Sequence, residues 1–137
     1  MAYIIAVLMA GLSFTLNRLL LRYLGKVTII SAGPIVEESA KTLFAYYLGA
    51  DMFTVHMVFG VIEAGYDWYW RSDNKLAAPV LSIIGHSLFG AVTAGIVFLA
   101  GSLWLGLTAG IIMHVSYNLA VVKLLANSTQ DKSGKRE

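Results

Sequence analysis

Five apolar stretches, at about residues 2–24, 28–49, 52–70, 79–100 and 103–125, follow one another through connections of a few residues, and each has the length to cross a bilayer as a helix. Inside them lie side chains that lipid tolerates poorly: Glu37, Glu38 and Lys41 in the second, Glu63 and Asp67 in the third, His86 in the fourth, His114 and Asn118 in the fifth. An ionisable group near the bilayer centre costs about 2.5–3.5 kcal/mol on insertion scales, so a membrane helix carrying one has a partner or a task. The pattern predicts an all-α protein, a polytopic transmembrane helix bundle of about five spans over residues 1–126, with a polar, disordered cytoplasmic tail at 127–137.

Composition excludes the main alternatives. With 58% hydrophobic and 13% charged residues and a mean hydropathy of +0.71, the chain falls outside the range of soluble domains, and its partner is the lipid bilayer. A formal charge of +2, spread over inter-helix segments, gives no surface for nucleic acid. The absence of cysteine removes disulfides, thiolate catalysis and cysteine metal sites together. The start, MAYIIAVLMAGLSF, has no basic residue ahead of its apolar run, so it reads as a retained first helix rather than a cleaved leader.

The basic residues set an expected orientation. Arg18, Arg22 and Lys26 fall in the first connection, Arg71 and Lys75 in the third, and Lys123, Lys132, Lys135 and Arg136 at the C-terminal end. With five spans all nine lie on one side, which the positive-inside rule makes the cytoplasm. The expected topology is N-outside and C-cytoplasmic in the cell membrane, with Trp68, Tyr69, Trp70 and Trp104 at the interfaces.

Counting helical rise from the expected cytoplasmic ends puts Glu37 roughly 13 Å deep, Glu63, His86 and Asn118 about 10 Å, and His114 about 16 Å. Four helices thus offer polar side chains to one layer. Glu37 and Lys41 are four residues apart and Glu38 and Lys41 three, so Lys41 reaches either carboxylate and leaves one free to act. Two carboxylates exceed what a structural ion pair needs. Gly60, Gly85, Gly90, Gly95, Gly106 and Gly110 would let the helices approach closely around the layer. His56, near the outer end of its segment, reads as interfacial, Asp67 as solvated, and Pro34 as a bend ahead of the acidic pair.

EESAK at 37–41, FGVIE at 59–63, His86 within GHSLFG, and HVSYN at 114–118 resemble, in order and spacing, the EExxK, FxxxE, His and HxxxN/D motifs of the PrsW-type intramembrane proteases. That family belongs with the CAAX prenyl endopeptidase and bacteriocin-processing (CPBP, or Abi) membrane proteins, and Lys41 and Glu63 favour the PrsW branch. The resemblance covers about residues 30–122. It implies an intramembrane endopeptidase acting on a membrane-anchored protein or peptide, with Glu37 activating a water and Glu38 and Lys41 setting its position. His86, His114 and Asn118 would bind that water or the oxyanion, and Glu63 would be a second acid or an orienting group. A carboxylate in low dielectric is a competent base near neutrality, and imidazole and amide donors suit a developing oxyanion.

Three alternatives stay open at this level. Glu63, His86 and His114 would satisfy a catalytic zinc with one open position, although no pair of ligands shares a helix, so a metal-independent mechanism is the expectation. The polar layer would also serve a proton or cation conductor, or a non-catalytic scaffold that uses it to assemble its helices. A homo-oligomer is compatible with the short connections.

Overall fold

The computed structural model of the protein describes residues 1–25, 28–70 and 76–134, with side chains other than those of residue 29 and residues 124–134. The described residues form five α-helices: α1 Ala2–Leu24, α2 Gly33–Tyr47, α3 Met52–Trp70, α4 Ala77–Ala100 and α5 Leu103–Gly134, with a π-helical segment Thr28–Ala32 leading into α2. Lys26, Arg71, Lys75, Lys135 and Arg136, on which the expected orientation partly rests, lie outside the described residues, as does the side chain of Lys132.

Helix ends follow backbone chemistry. Gly25, at φ 62°, ends α1, and Gly101, at φ 64°, ends α4 in the left-handed conformation that only glycine adopts cheaply. The Asp51 side chain accepts the Thr54 N–H at 2.7 Å and starts α3. Pro34 stands in the first turn of α2, directly after the π-helical segment Thr28–Ala32. At the other end, α5 is helical as far as Gly134. Propagating an existing helix needs no new nucleus, so the polar sequence after Asn127 continues the span's geometry.

Among the described residues, three helices are long and apolar enough to cross a membrane: α1, α4, and Leu103–Lys123 of α5. The 15-residue α2 is about 22 Å long by its rise, short of a ~30 Å hydrocarbon core. It is also the helix that spends its length on Glu37, Glu38 and Lys41, all of them buried.

Packing closes the helices into a ring. α1 touches α3, α3 packs most extensively on α4, α4 on α5, α5 on α2, and α2 returns to α1. Ile5, Ala6 and Met9 of α1, Ala45 of α2 and Val55 of α3 fill one end of the ring with a buried apolar cluster. α3 meets α4 closely, where two histidines and two glycines interlock. A Cβ on Gly60 would come within 2.8 Å of the His86 Cβ, and one on Gly90 within 2.6 Å of the His56 Cβ. Gly85 and Gly110 face Tyr117 and Glu38 at similar closeness, whereas a Cβ on Gly95 meets nothing within 4 Å, so that glycine does not serve close approach.

Candidate functional site

The polar residues of all five helices converge. On α2, a helix turn brings Glu37, Glu38 and Lys41 to neighbouring faces, and the Lys41 ammonium is the hub. It sits 2.8 Å from Glu38 Oε1 and 4.0 Å from Glu37 Oε2, donates to His86 Nδ1 at 2.9 Å, and lies 4.1 Å from the centre of the Phe59 ring. Lys41 and Glu38 are wholly buried. A charge so placed survives only because each donor has a partner, the ring face included.

Glu38 serves three neighbours. Its Oε1 also receives His114 Nδ1–H at 2.9 Å, and its Oε2 lies 3.4 Å from His56 Nδ1. With Nδ1 committed to Glu38, His114 keeps Nε2 for other work. His86 has no such freedom: Nδ1 faces Lys41, and Nε2 donates to Glu63 Oε2 at 2.6 Å, where Ser82 also donates at 2.7 Å. Glu63 thus holds His86 rather than a nearby tyrosine.

Glu37 differs from Glu38. Asn17 Nδ2 of α1 donates to its Oε1 at 2.6 Å, while Oε2 is buried and accepts no hydrogen bond from the described residues. Glu37 lies on the wall of a cavity of about 660 Å³ that Glu63, His86, His114, Asn118 and Tyr117 also line. Asn118 and Asp67 both reach this wall, and Asp67 is half-buried there.

Three candidate donors for a cation, on Glu37, His86 and His114, come within 4.8 Å of one another; this set contains Glu37 in place of Glu63. Two features oppose a cation on it. Both ring nitrogens of His86 are already engaged, and the Lys41 ammonium sits on one of them.

No family model matches the chain, and no curated protein or solved structure matches it. The geometry therefore carries the functional reading together with the motifs.

Glu37, Glu38, Lys41, Glu63, His86, His114 and Asn118, the candidate catalytic residues from the sequence, are all in this cluster or on its wall. His56 needs correction: it is fully buried between Glu38 and Thr42, whose hydroxyl lies 3.3 Å from its Nε2, and not interfacial. Helix α4 covers it because Gly90 has no side chain to hold the helices apart. A signal for this was present, since His-Met-Val-Phe-Gly at 56–60 repeats as His-Ser-Leu-Phe-Gly at 86–90. In antiparallel neighbours such a repeat sets each histidine opposite the other helix's glycine. Asn17 and Ser82 carried no comparable signal, because single small polar residues in membrane helices usually bond nearby carbonyls.

Proposed function

We propose that the protein is an intramembrane endopeptidase of the PrsW type, hydrolysing a peptide bond of a membrane-anchored protein or peptide with a water activated by Glu37. One observation carries this reading: Glu37 is held by Asn17 through Oε1 and keeps a buried Oε2 without a hydrogen bond, on a cavity wall shared with His86, His114 and Asn118. Glu38 Oε2 also accepts no hydrogen bond among the described residues, but it lies 3.4 Å from His56 Nδ1, and Glu38 is not part of the cavity lining.

In this reading Glu37 Oε2 takes a proton from water as the water oxygen bonds to the scissile carbonyl carbon. The carbonyl oxygen becomes an oxyanion, met by the Asn118 amide, with His114 held beside it by Glu38 through Nδ1. Glu37 then delivers its proton to the leaving nitrogen as the C–N bond breaks. General-base catalysis contributes typically about 10²–10⁴-fold and an oxyanion donor about 10²–10³-fold. Lys41, Glu38, His86 and Glu63 hold the geometry. The mechanism needs no metal, and cleavage is expected to survive chelators.

The finer topology belongs to the same proposal: a multi-pass protein of the cell membrane with five spans, N-outside and C-cytoplasmic. The nine basic residues support it, as does the exposure of Trp68, Tyr69, Trp70 and Trp104. Helix α2, continuous with the π-helical segment from Thr28 to Tyr47, and α3 would complete the five. The conductor reading has less support, because the apolar cluster of Ile5, Met9 and Val55 stands beyond His56.

The test is a cleavage assay of purified protein in liposomes against a set of single-span peptides, with Glu37→Gln and a chelator arm beside the wild type. Cleavage lost in the variant and kept with chelator is expected. A well-folded wild type that cleaves none of the set would sink the proposal.

A further inference from the structure

The likeness between α3 and α4 runs past their histidines. His-Met-Val-Phe-Gly-Val-Ile-Glu-Ala-Gly at 56–65 aligns with His-Ser-Leu-Phe-Gly-Ala-Val-Thr-Ala-Gly at 86–95, so Thr93 holds the register position of Glu63. The antiparallel contact gives the two stretches matching surroundings: His86 sits on Gly60 and His56 on Gly90, while Gly65 and Gly95 both face open space. In one half the long Glu63 side chain reaches His86 Nε2 at 2.6 Å. In the other the shorter Thr93 is wholly buried, and its hydroxyl makes no hydrogen bond among the described residues. A threonine inside a helix can satisfy its hydroxyl on the carbonyl one turn back, and Thr93 does not.

Two more atoms at the same place share that condition. Glu38 Oε2 and His56 Nδ1 are buried, make no hydrogen bond among the described residues, and lie 3.4 Å from each other. Gly110 of α5 ties Thr93 to them: a Cβ there would strike the Thr93 hydroxyl and lie 3.2 Å from Glu38 Oε2. None of Glu38, His56 and Thr93 belongs to the cavity lining. A buried polar atom left unmatched costs stability, and a carboxylate oxygen costs the most, so three at one spot call for a partner that reaches them all. Folded proteins meet such groups with internal water, which makes about three hydrogen bonds.

We propose that Glu38 Oε2, His56 Nδ1 and Thr93 Oγ1 bind a single water molecule behind the cavity wall. The water donates to the carboxylate and accepts from the threonine hydroxyl. Its remaining proton or lone pair meets either tautomer of His56, whose Nε2 faces a Thr42 hydroxyl that can donate or accept. A cation suits the place less well, because the Lys41 ammonium already stands 2.8 Å from the other oxygen of the same carboxylate. With the water in place both oxygens of Glu38 are used: Oε1 holds Lys41 and His114, and Oε2 holds the water. His56 and Thr93 are thus positioning residues, acting through Glu38. The site is independent of the endopeptidase reading and holds whatever the cavity does.

The sign of one substitution tests the site. Thr93→Val keeps the branched shape of the side chain and removes its hydroxyl. A bound water that loses a partner lowers the thermal unfolding temperature, by roughly 3–5 °C, and this is the expected result. Removing a hydroxyl that had no partner has the opposite sign, so a rise or no change overturns the proposal. A second arm reads the water itself. Solid-state NMR of the protein in liposomes, with ¹⁵N-labelled histidine, follows magnetisation transfer from water to the ring nitrogens. The sequence has three histidines, and the signal missing from His56→Gln assigns that ring. Transfer to His56 is expected in the wild type and in Thr93→Ser, and its loss in Thr93→Val with the His86 and His114 signals unchanged. A wild-type His56 that receives no transfer overturns the proposal even where a variant fails to fold, as does transfer that survives in Thr93→Val. A His56 signal that moves when sodium replaces potassium at constant ionic strength assigns the place to a cation and overturns it too.

Discussion

Glu37 and Glu38 are adjacent, yet a helix turns by about 100° between them, and the turn gives them different neighbours. Glu38 faces Lys41, His114 and His56 behind the cavity wall; Glu37 meets Asn17 on the wall itself, where among the described residues its Oε2 accepts no hydrogen bond. The two should therefore fail differently when neutralised. Glu37→Gln is expected to lose cleavage by at least about 10²-fold with its thermal unfolding unchanged, whereas Glu38→Gln should lower the unfolding temperature as well. Asn17→Ala removes a hydrogen bond to a charged group and is expected to cost about 1.5 kcal/mol, or about tenfold in rate, read from initial cleavage rates. Retention of full activity by Glu37→Gln would remove the base from the mechanism. Asn17 is also where the sequence was least legible. A lone asparagine in an apolar helix announces no partner, and its meeting with Glu37 depends on how α1 lies against α2.

At the scale of elements, α2 and the α3–α4 pair carry the tests. Lys41 is a buried cation on a short helix, and Lys41→Met strands Glu38 in the interior, a change expected to cost about 3–5 kcal/mol of stability. The double variant Lys41→Met/Glu38→Gln should recover most of the loss in thermal unfolding without recovering cleavage. Gly60→Ala and Gly90→Ala each push a methyl group into a histidine across the joint and are expected to destabilise by about 1–3 kcal/mol, while Gly95→Ala, with open space around it, stays neutral. Equal unfolding temperatures for the three would contradict the interlocked joint. The helix boundaries were readable from hydropathy because apolar runs and glycine breaks are local properties. The expected outer-interface place of His56 was wrong for a physical reason: depth along a helix is local, but burial is decided by the helix opposite. Gly90 decides it here, and reading it required pairing the repeated His-x-x-Phe-Gly stretches across an antiparallel contact.

For the whole molecule, the convergence of Glu37, Glu63, His86 and His114 was anticipated by counting helical rise, since one layer of polar groups in lipid has nowhere else to be satisfied. Which groups face the cavity was not, because that depends on helix rotation. The cavity is lined by Glu37, Glu63, His86 and His114 among others, and the buried apolar cluster of Ile5, Ala6, Met9, Ala45 and Val55 lies apart from that lining. Proteoliposomes holding a pH gradient are accordingly expected to discharge no faster than protein-free ones, measured with a trapped pH dye; faster discharge would revive the conductor reading. That separation has a consequence for the host cell. In the endopeptidase reading, hydrolysis would need water deep in an insulating film that stores the cell's electrical energy, and a wet passage through the film would short-circuit it. In that reading a blind chamber would admit water from one compartment only, so the protein could remain wet inside at all times without a gate and leave the membrane potential undisturbed.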